Sequence, residues 1–391
     1  MASLPWLQQL TTNLERRKVA KRYRQQRTRF SEQGVKIVVE GKQLLSFCSN
    51  DYLGLASHPD LKKAFIDAVD KEGVGSGAAH LLTGHSRYHQ QLEQQLAEFT
   101  GQQKALLFSS GYQANMGVLD ALMMTDDVII QDKLNHASLL DGGRLSAAKQ
   151  LRYRHADMSA LSIRLQQSEQ ANHRLIVSDG VFSMDGDIAA LPDMIALAKQ
   201  HNTALMIDDA HGFGVLGQQG KGSIEHWQIA QQDMPIIMGT FGKAFGTAGA
   251  FVAADEQVID TLIQQARMYI YTTAQPAAIA AATLASLKLV QQQTWRREKL
   301  QALISQFRMG AAELGLQLID SITPIQPILL GDDQQAISIG KSLEDKGLLV
   351  GVIRPPTVPE GTARLRITLS ANHTEQHVMQ LLDALESVNA H

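Results

Sequence analysis

Cysteine is nearly absent from this sequence. Cys48 is the one thiol in 391 residues, so no disulfide can form within the chain. Chains without disulfides are typical of reducing compartments, and we expect a cytoplasmic protein. Cys48 follows an apolar stretch at residues 44–47, which favours a small buried side chain over a reactive thiol.

Long apolar runs are absent as well. The most apolar long stretch, residues 277–290, is rich in alanine and contains Thr283, Ser286 and Lys288. It is shorter than the roughly 20 residues that a membrane-spanning helix needs, so it predicts a core helix and no membrane partner. Residues 1–14 lack the continuous apolar segment of a signal peptide, because Pro5 and several polar side chains interrupt them.

Strong net charge is also missing. The formal net charge of −3 gives no electrostatic footprint for nucleic acid, and we expect no such partner. A local exception is a run of basic residues with no acid among them: Arg16, Arg17, Lys18, Lys21, Arg22, Arg24, Arg27 and Arg29. Such a run is typical of a solvated helix face. A phosphate-rich ligand such as CoA is an equal alternative, because arginine binds phosphate as a planar fork.

Short apolar segments alternate with helical patterns over most of the chain. The predicted strands of the main part are residues 104–108, 127–131, 175–178, 204–207, 236–238 and 249–253. Strands that alternate with helices predict an α/β fold with a mostly parallel sheet and helices on both faces.

The two ends of the chain have a different pattern. A helical arm and a hairpin are expected within residues 1–49, with strands at 35–39 and 43–47. After a large domain at 50–287, longer amphipathic helices and shorter strands predict a smaller C-terminal α+β domain at 288–391.

Two ionisable residues stand just beyond predicted strands. Asp208 follows strand 204–207, and Lys243 lies in the glycine-rich loop 239–246. Ligands of parallel α/β sheets bind beyond the carboxyl ends of the strands, so both side chains are expected to face one crevice. Taken alone, Lys243 is typical of a solvated loop and Asp208 of a helix N-cap. Together they match the needs of pyridoxal 5'-phosphate (PLP), an amine for a Schiff base and a carboxylate that keeps the ring nitrogen protonated.

Two further segments could hold a phosphate or a metal ion. Residues 109–115 follow a strand and open a helix, which suits either a cofactor phosphate or an ordinary turn capped by Ser110. His136, Asp208 and His211 together resemble a metal site. That interpretation leaves the lysine loop without a role, so we expect no metal.

The sequence resembles the α-oxoamine synthases, PLP enzymes that condense an amino acid with an acyl-CoA. The resemblance covers nearly the whole chain. It rests on residues 49–55 (SNDYLGL), 135–138 (NHAS), 179–186 (DGVFSMDG), 208–211 (DDAH) and 239–246 (GTFGKAFG). Within the family, residues 354–366 (RPPTVPEGTARLR) are most similar to the biotin-pathway branch. Residues 77–80 (GAAH) depart from the usual Gly-Gly-Ser-Arg, and the role of His80 stays open.

The resemblance implies an aspartate-aminotransferase-like fold and a role for each residue around PLP. It implies that Lys243 carries the cofactor and acts as general base, that Asp208 contacts the ring nitrogen, and that His136 stacks on the ring. His211 and Ser183 are implied beside the phenolic oxygen. The residues implied around the phosphate are Gly111, Tyr112, Thr240 and, across a dimer interface, Thr272 or preferably Thr273.

The resemblance also implies the substrates. Arg366 is implied to bind the amino-acid carboxylate, with Asn50 as a helper, and Arg24 to lie near the acyl-CoA. Arg354 and Thr357 are further implied substrate contacts. The implied activity is that of a homodimeric PLP-dependent acyltransferase that joins L-alanine to the pimeloyl thioester of CoA or of a carrier protein, with loss of CO2.

Two other functions remain alternatives. One is a different family member, such as 2-amino-3-ketobutyrate CoA ligase. The other is a regulatory protein that binds PLP without catalysis, which the presence of Lys243 disfavours because a binding module needs no general base.

Overall fold

The computed structural model describes residues 4–389. Residues 1–3 and 390–391, which belong to the first and last predicted segments, lie outside the described residues. The helices are α1 (Pro5–Val19), α2 (Pro59–Glu72), α3 (Arg87–Thr100), α4 (Gly111–Leu122), α5 (Ala137–Leu145), α6 (Met158–Gln167), α7 (Leu191–Gln200), α8 (Ser223–His226), α9 (Glu256–Gln265), α10 (Arg267–Ile270), α11 (Ala277–Gln292), α12 (Trp295–Glu313), α13 (Asp333–Asp345) and α14 (Glu375–Asn389). The strands are β1 (Lys36–Val39), β2 (Lys42–Phe47), β3 (Lys104–Phe108), β4 (Val128–Asp132), β5 (Lys149–Tyr153), β6 (Arg174–Asp179), β7 (Ala204–Asp208), β8 (Ile236–Thr240), β9 (Ala250–Ala254), β10 (Ile325–Gly331), β11 (Leu348–Ile353) and β12 (Ala363–Thr368).

The larger sheet has seven strands in the order β3-β9-β8-β7-β6-β4-β5. Its pairs are parallel from β8 to β5, while β9 is antiparallel to both of its neighbours. The predicted mostly parallel sheet is therefore confirmed. Asp127 was predicted as the first residue of β4, but its carboxylate accepts from the backbone N–H groups of Met124 and His173 and organises the preceding turn instead.

Consecutive residues of the central strands of the larger sheet lie in different hydrophobic cores. Ile129 and Met206 belong to the core beneath α4 and α9, whereas Ile130 and Ile207 belong to the core beneath α6 and α7. Successive side chains of a strand point to opposite faces, so both faces of this sheet are covered, as predicted.

The smaller sheet has five strands in the order β1-β2-β11-β12-β10. The predicted N-terminal hairpin forms its edge, because β2 pairs in parallel with β11. Residues from the two ends of the sequence therefore share one sheet. Cys48, just after β2, is half-buried, and burial raises the pKa of its thiol, in keeping with an unreactive side chain.

Helix α11 is the predicted alanine-rich core helix. Ten of its residues are buried, and it packs against α2 and α3. The predicted boundary between the two domains, at residues 287 and 288, falls inside this continuous helix. Among residues 4–389, no helix is both long and apolar enough to cross a membrane.

Candidate active site

The carboxyl ends of β6, β7 and β8 border a cavity of about 180 Å³. Asp179 and Asp208 are register partners at the ends of β6 and β7, and Thr240 ends β8. The cavity is lined by Gly111, Tyr112, His136, Ser138, Asp179, Ser183, Asp208, Ala210, His211, Met238, Thr240 and Lys243. Eight residues that the sequence predicts around the cofactor thus line one cavity.

Two hydrogen bonds orient the carboxylate of Asp208 at the end of β7. One carboxylate oxygen accepts from Asn115 Nδ2 at 2.7 Å, and the other accepts from the backbone N–H of Ala210 at 3.0 Å. Asn115 also donates to Ser138 Oγ at 2.8 Å, which fixes its own orientation. A buried carboxylate with this support points a negative charge into the cavity without rearranging.

Lys243 lies in the loop that follows β8. Gly246, in this loop, has a positive φ of 65°, and a Cβ there would lie 2.4 Å from the backbone nitrogen of Ala56. Only glycine allows this close approach. Burial lowers the pKa of Lys243 from 10.5 to about 8, although the charges of Asp208 and Asp179 oppose the shift. A larger fraction of the amine is therefore neutral near pH 7 than for an ordinary lysine.

Asp179 is a second buried carboxyl group beside Asp208. Burial and the negative charge of Asp208 raise its pKa well above the ordinary value. Its Oδ2 accepts from the backbone N–H of His136 at 2.8 Å. The contact ties the loop that carries His136 to the end of β6.

His136 stands at the N-terminus of α5. Its Nδ1 lies 2.7 Å from Ser138 Oγ, and its ring meets that of Tyr112 edge to face. Burial lowers its pKa, against the opposing charge of Asp208, so the ring is mostly neutral near pH 7. The Tyr112 hydroxyl donates to the carboxylate of Asp141, which orients the tyrosine at the cavity edge.

The part of the cavity lined by Gly111 and Thr240 suits a phosphate. Helix α4 begins there at Gly111, capped by Ser110, whose Oγ accepts from Gln113 N at 3.3 Å. A Cβ on Gly111 would lie 2.6 Å from Thr240 Cγ2, so the two residues are in contact. Thr240 Oγ1 is buried without a hydrogen-bond partner. A helix N-terminus with an unpartnered hydroxyl beside it is a natural anion site.

A hydrogen-bonded chain leads from His211 to Arg366. His211 Nδ1 lies 2.7 Å from Tyr52 Oη, which lies 3.1 Å from Asn50 Oδ1. Arg366 Nη1 and Nη2 donate to the same Asn50 oxygen at 3.3 and 3.4 Å, and its Nε donates to Ser183 O at 2.6 Å. These bonds hold Arg366 against Ser183, which lines the cavity, although neither Arg366 nor Asn50 lines it.

The residues present fit PLP. The cavity offers a buried amine, a fixed carboxylate, a flat histidine ring and an anion site at a helix N-terminus. These correspond to the aldehyde, the ring nitrogen, the ring face and the phosphate of that cofactor.

Other predicted residues lie away from this cavity. Thr273 is exposed and pairs with Ala79 in an isolated bridge. Arg24 and Thr357 are exposed, and Arg354 donates to the backbone oxygen of Lys21 at 2.6 Å. Their predicted roles in binding phosphate or acyl donor stay predictions.

Some residues of the site were missed by the sequence interpretation. Asn115, Ser138, Asp179 and Tyr52 occur in the segments already singled out but received no role. Their partners are distant in sequence; Asn115 and Asp208, for example, are 93 positions apart. The one available signal was their position next to assigned residues in the same short segments.

His80 lies in a cluster of three histidines. It stacks on Tyr269 and lies, Nδ1 to Nδ1, 2.9 Å from His85, while His89 packs against both rings. One potential ligand atom from each histidine lies within 4.8 Å of the others. However, His89 Nδ1 accepts from the backbone N–H of Ser86, so this ring carries its proton at Nε2. Burial lowers the pKa of His80 to about 3 and that of His89 to about 4, so these rings are neutral.

Comparison with known proteins places the chain in a family. Residues 42–385 match the aminotransferase class I and II family. An 8-amino-7-oxononanoate synthase of Nitrosococcus oceani is 56% identical over 96% of this chain and 99% of its own. Other relatives with the same description are 54% to 57% identical over nearly their whole length.

Solved structures agree with these relatives. A serine palmitoyltransferase from S. paucimobilis, with a bound PLP–myriocin aldimine, has a TM-score of 0.92 at 29% identity and covers 97% of this chain and 96% of its own. An 8-amino-7-oxononanoate synthase from Francisella tularensis has a TM-score of 0.77 at 35% identity and covers 88% of this chain and 97% of its own. The predicted aspartate-aminotransferase-like fold and PLP dependence are thereby confirmed. The chain belongs to the aminotransferase class I and II family and, within it, to the 8-amino-7-oxononanoate synthases.

Proposed function

We propose that this member of the 8-amino-7-oxononanoate synthase family condenses L-alanine with a pimeloyl thioester, releasing CO2 and the free thiol. The observation that carries the proposal is the convergence of Lys243, Asp208, His136 and His211 on one cavity, with Arg366 aimed at its edge. PLP, when bound, supplies the electron sink that such a condensation requires.

Asp208 holds a proton on the ring nitrogen of the cofactor. Its carboxylate already accepts from Asn115 and from Ala210 N, so the negative charge stays in place. A protonated ring nitrogen withdraws electrons far better than a neutral one. Asn115 and Ser138 act behind Asp208 by keeping its orientation.

Lys243 moves the proton of the reaction. With a pKa near 8, about a tenth of the free amine is neutral at pH 7, which suits a general base. Nζ takes the Cα proton of the amino acid and later returns one to the same carbon. The negative charge of Asp208 stabilises the ammonium form between these two events.

Arg366 holds the amino-acid carboxylate. Its Nε is occupied by Ser183 O, so Nη1 and Nη2 remain for the substrate. Their bonds to Asn50 Oδ1, at 3.3 and 3.4 Å, are longer than a charge-assisted pair at about 2.7–2.9 Å. A carboxylate therefore displaces the amide oxygen with a gain in hydrogen-bond strength.

The acyl donor is proposed to bind near Arg24, Arg354 and Thr357, with His136 beside its carbonyl oxygen. Support comes from two contacts that join the basic segment to the 354–360 loop. Arg354 donates to Lys21 O, and Arg22 forms an ion pair with Glu360 at 2.8 Å. These contacts bring the basic segment beside Arg354, and arginine side chains there would suit the phosphates of CoA or of a carrier-protein arm.

We also propose a cytoplasmic homodimer in which Thr273 of one chain meets the phosphate of the other. The exposed position of Thr273, away from the cavity of its own chain, supports a contact in trans. Cys48 as the single thiol supports a reducing compartment.

The test is a substrate matrix of glycine, alanine and serine against acetyl-, succinyl-, pimeloyl- and palmitoyl-thioesters, as CoA and carrier-protein forms. CO2 and thiol release are recorded together, with Lys243→Ala as the blank. Alanine with a pimeloyl thioester is expected to be fastest. Preference for glycine and acetyl-CoA would instead identify a 2-amino-3-ketobutyrate CoA ligase, and bound PLP without turnover would identify a binding protein.

A further inference from the structure

Tyr52 connects the cofactor end of the site with its carboxylate end. The side chain is fully buried, and its hydroxyl is its only polar atom. That hydroxyl lies 2.7 Å from His211 Nδ1 and 3.1 Å from Asn50 Oδ1. Tyr52 has no part in the chemistry proposed above.

The protons in this chain of contacts follow from its chemistry. Arg366 can only donate, so the Asn50 atom that faces it is the amide oxygen, which carries no proton. Tyr52 has a single proton to share between Asn50 Oδ1 and His211 Nδ1. The contact with His211 is short, whereas 3.1 Å is long for an O–H···O bond, whose usual length is about 2.7–2.8 Å. The tyrosine proton therefore points to His211 Nδ1.

A nitrogen that accepts a hydrogen bond carries no proton of its own. Burial, together with the nearby cations Lys243 and Arg366, holds the pKa of His211 well below its usual range, so the ring has only one proton. That proton is on Nε2, the nitrogen left for the cavity that His211 lines.

We propose that Tyr52 is a positioning residue that fixes His211 as the Nε2–H tautomer, so that the ring presents a hydrogen-bond donor to the phenolic oxygen of the cofactor. This proposal rests on the proposed function for the identity of the acceptor. The opposite arrangement, with Tyr52 donating to Asn50, requires the Nδ1–H tautomer and leaves Nε2 as an acceptor that repels a phenolate oxygen.

The consequence is a change in the proton affinity of the nitrogen that links Lys243 to the cofactor. A hydrogen-bond donor at the phenolate oxygen reduces the negative charge of that oxygen. The oxygen then stabilises the proton on the linking nitrogen less well. When the support of Tyr52 is lost, that donor is poorly placed. Without the Tyr52 hydroxyl, we therefore expect the pKa of the nitrogen that links Lys243 to the cofactor, here called the linkage pKa, to rise. The expected rise is about 0.4 to 1 unit, the equivalent of one hydrogen bond.

The first measurement is the tautomer itself, in the unaltered protein. Nitrogen NMR of histidine-labelled chain, with and without PLP, distinguishes a protonated from an unprotonated ring nitrogen, and His211→Gln assigns the signals. We expect Nε2 protonated and Nδ1 unprotonated. Protonated Nδ1 in the wild type overturns the proposal, whether or not any variant folds.

The second measurement is a pH titration of the cofactor absorption band in Tyr52→Phe. Tyr88→Phe, a half-buried tyrosine of α3 outside the cavity lining, is the matched control. We expect a raised linkage pKa in Tyr52→Phe alone, with the borohydride-fixed linkage to Lys243 retained; equal titration curves in both variants contradict the proposal. A protein that never links PLP at Lys243 contradicts the proposed function instead, while the NMR result without PLP still decides the tautomer.

Discussion

Replacing Lys243 by methionine tests the electrostatic cost of the catalytic amine. Burial lowers the pKa of Lys243 from 10.5 to about 8 in the folded chain, whereas the unfolded chain keeps the ordinary value. Between pH 8 and pH 10.5 the unfolded state binds more protons than the folded state, so the free energy of unfolding rises with pH. The energetic penalty of burying the charged amine is fully present only below pH 8. At about 1.4 kcal/mol per pKa unit, this penalty is about 3 kcal/mol at most, since the Lys243 side chain is only half-buried.

The assay is urea unfolding of the cofactor-free protein at pH 7 and at pH 10. Lys243→Met, which does not titrate, should lose this pH dependence, so the wild type gains about 2 to 3 kcal/mol relative to the variant between the two pH values. Lys71→Met, an exposed position of α2, controls for replacing any lysine by methionine. Parallel pH profiles for the wild type and Lys243→Met would refute the reasoning.

Three further outcomes are expected. Borohydride reduction followed by peptide mass spectrometry should place a phosphopyridoxyl group on Lys243 and no stable adduct in Lys243→Ala; modification of another lysine contradicts the assignment. Asp208→Ala should keep the covalent linkage but lose most exchange of the alanine Cα proton in deuterated water, because an unprotonated ring is a poor electron sink; near-normal exchange by NMR would show that Asp208 is not the ring partner. Mixed dimers of Lys243→Ala and Thr273→Ala chains should regain activity if Thr273 acts in trans, because one of the two active sites then carries neither substitution. If each active site is built within one chain, both active sites carry a substitution and no activity returns. Light scattering must first show a dimer.

The sequence alone located the reactive centre because its signals are local. An apolar run predicts a strand, and in a parallel sheet the carboxyl ends of neighbouring strands meet at one edge. The sequence alone therefore predicts that Asp208 and Lys243 lie at a common site. The same reasoning missed β5, whose residues are mostly polar because it is an edge strand with little buried surface.

The tertiary structure decided what supports that centre. Asn115 reaches Asp208 across 93 positions, and Tyr52 reaches His211 across 159. The pairing of β2 with β11 joins the two ends of the chain in one sheet, so that β12 carries Arg366 toward Asn50. No local periodicity encodes such contacts, since each depends on how separate elements pack. The sequence by itself determined which chemistry is present, and packing alone determined the orientation and protonation in which those groups meet.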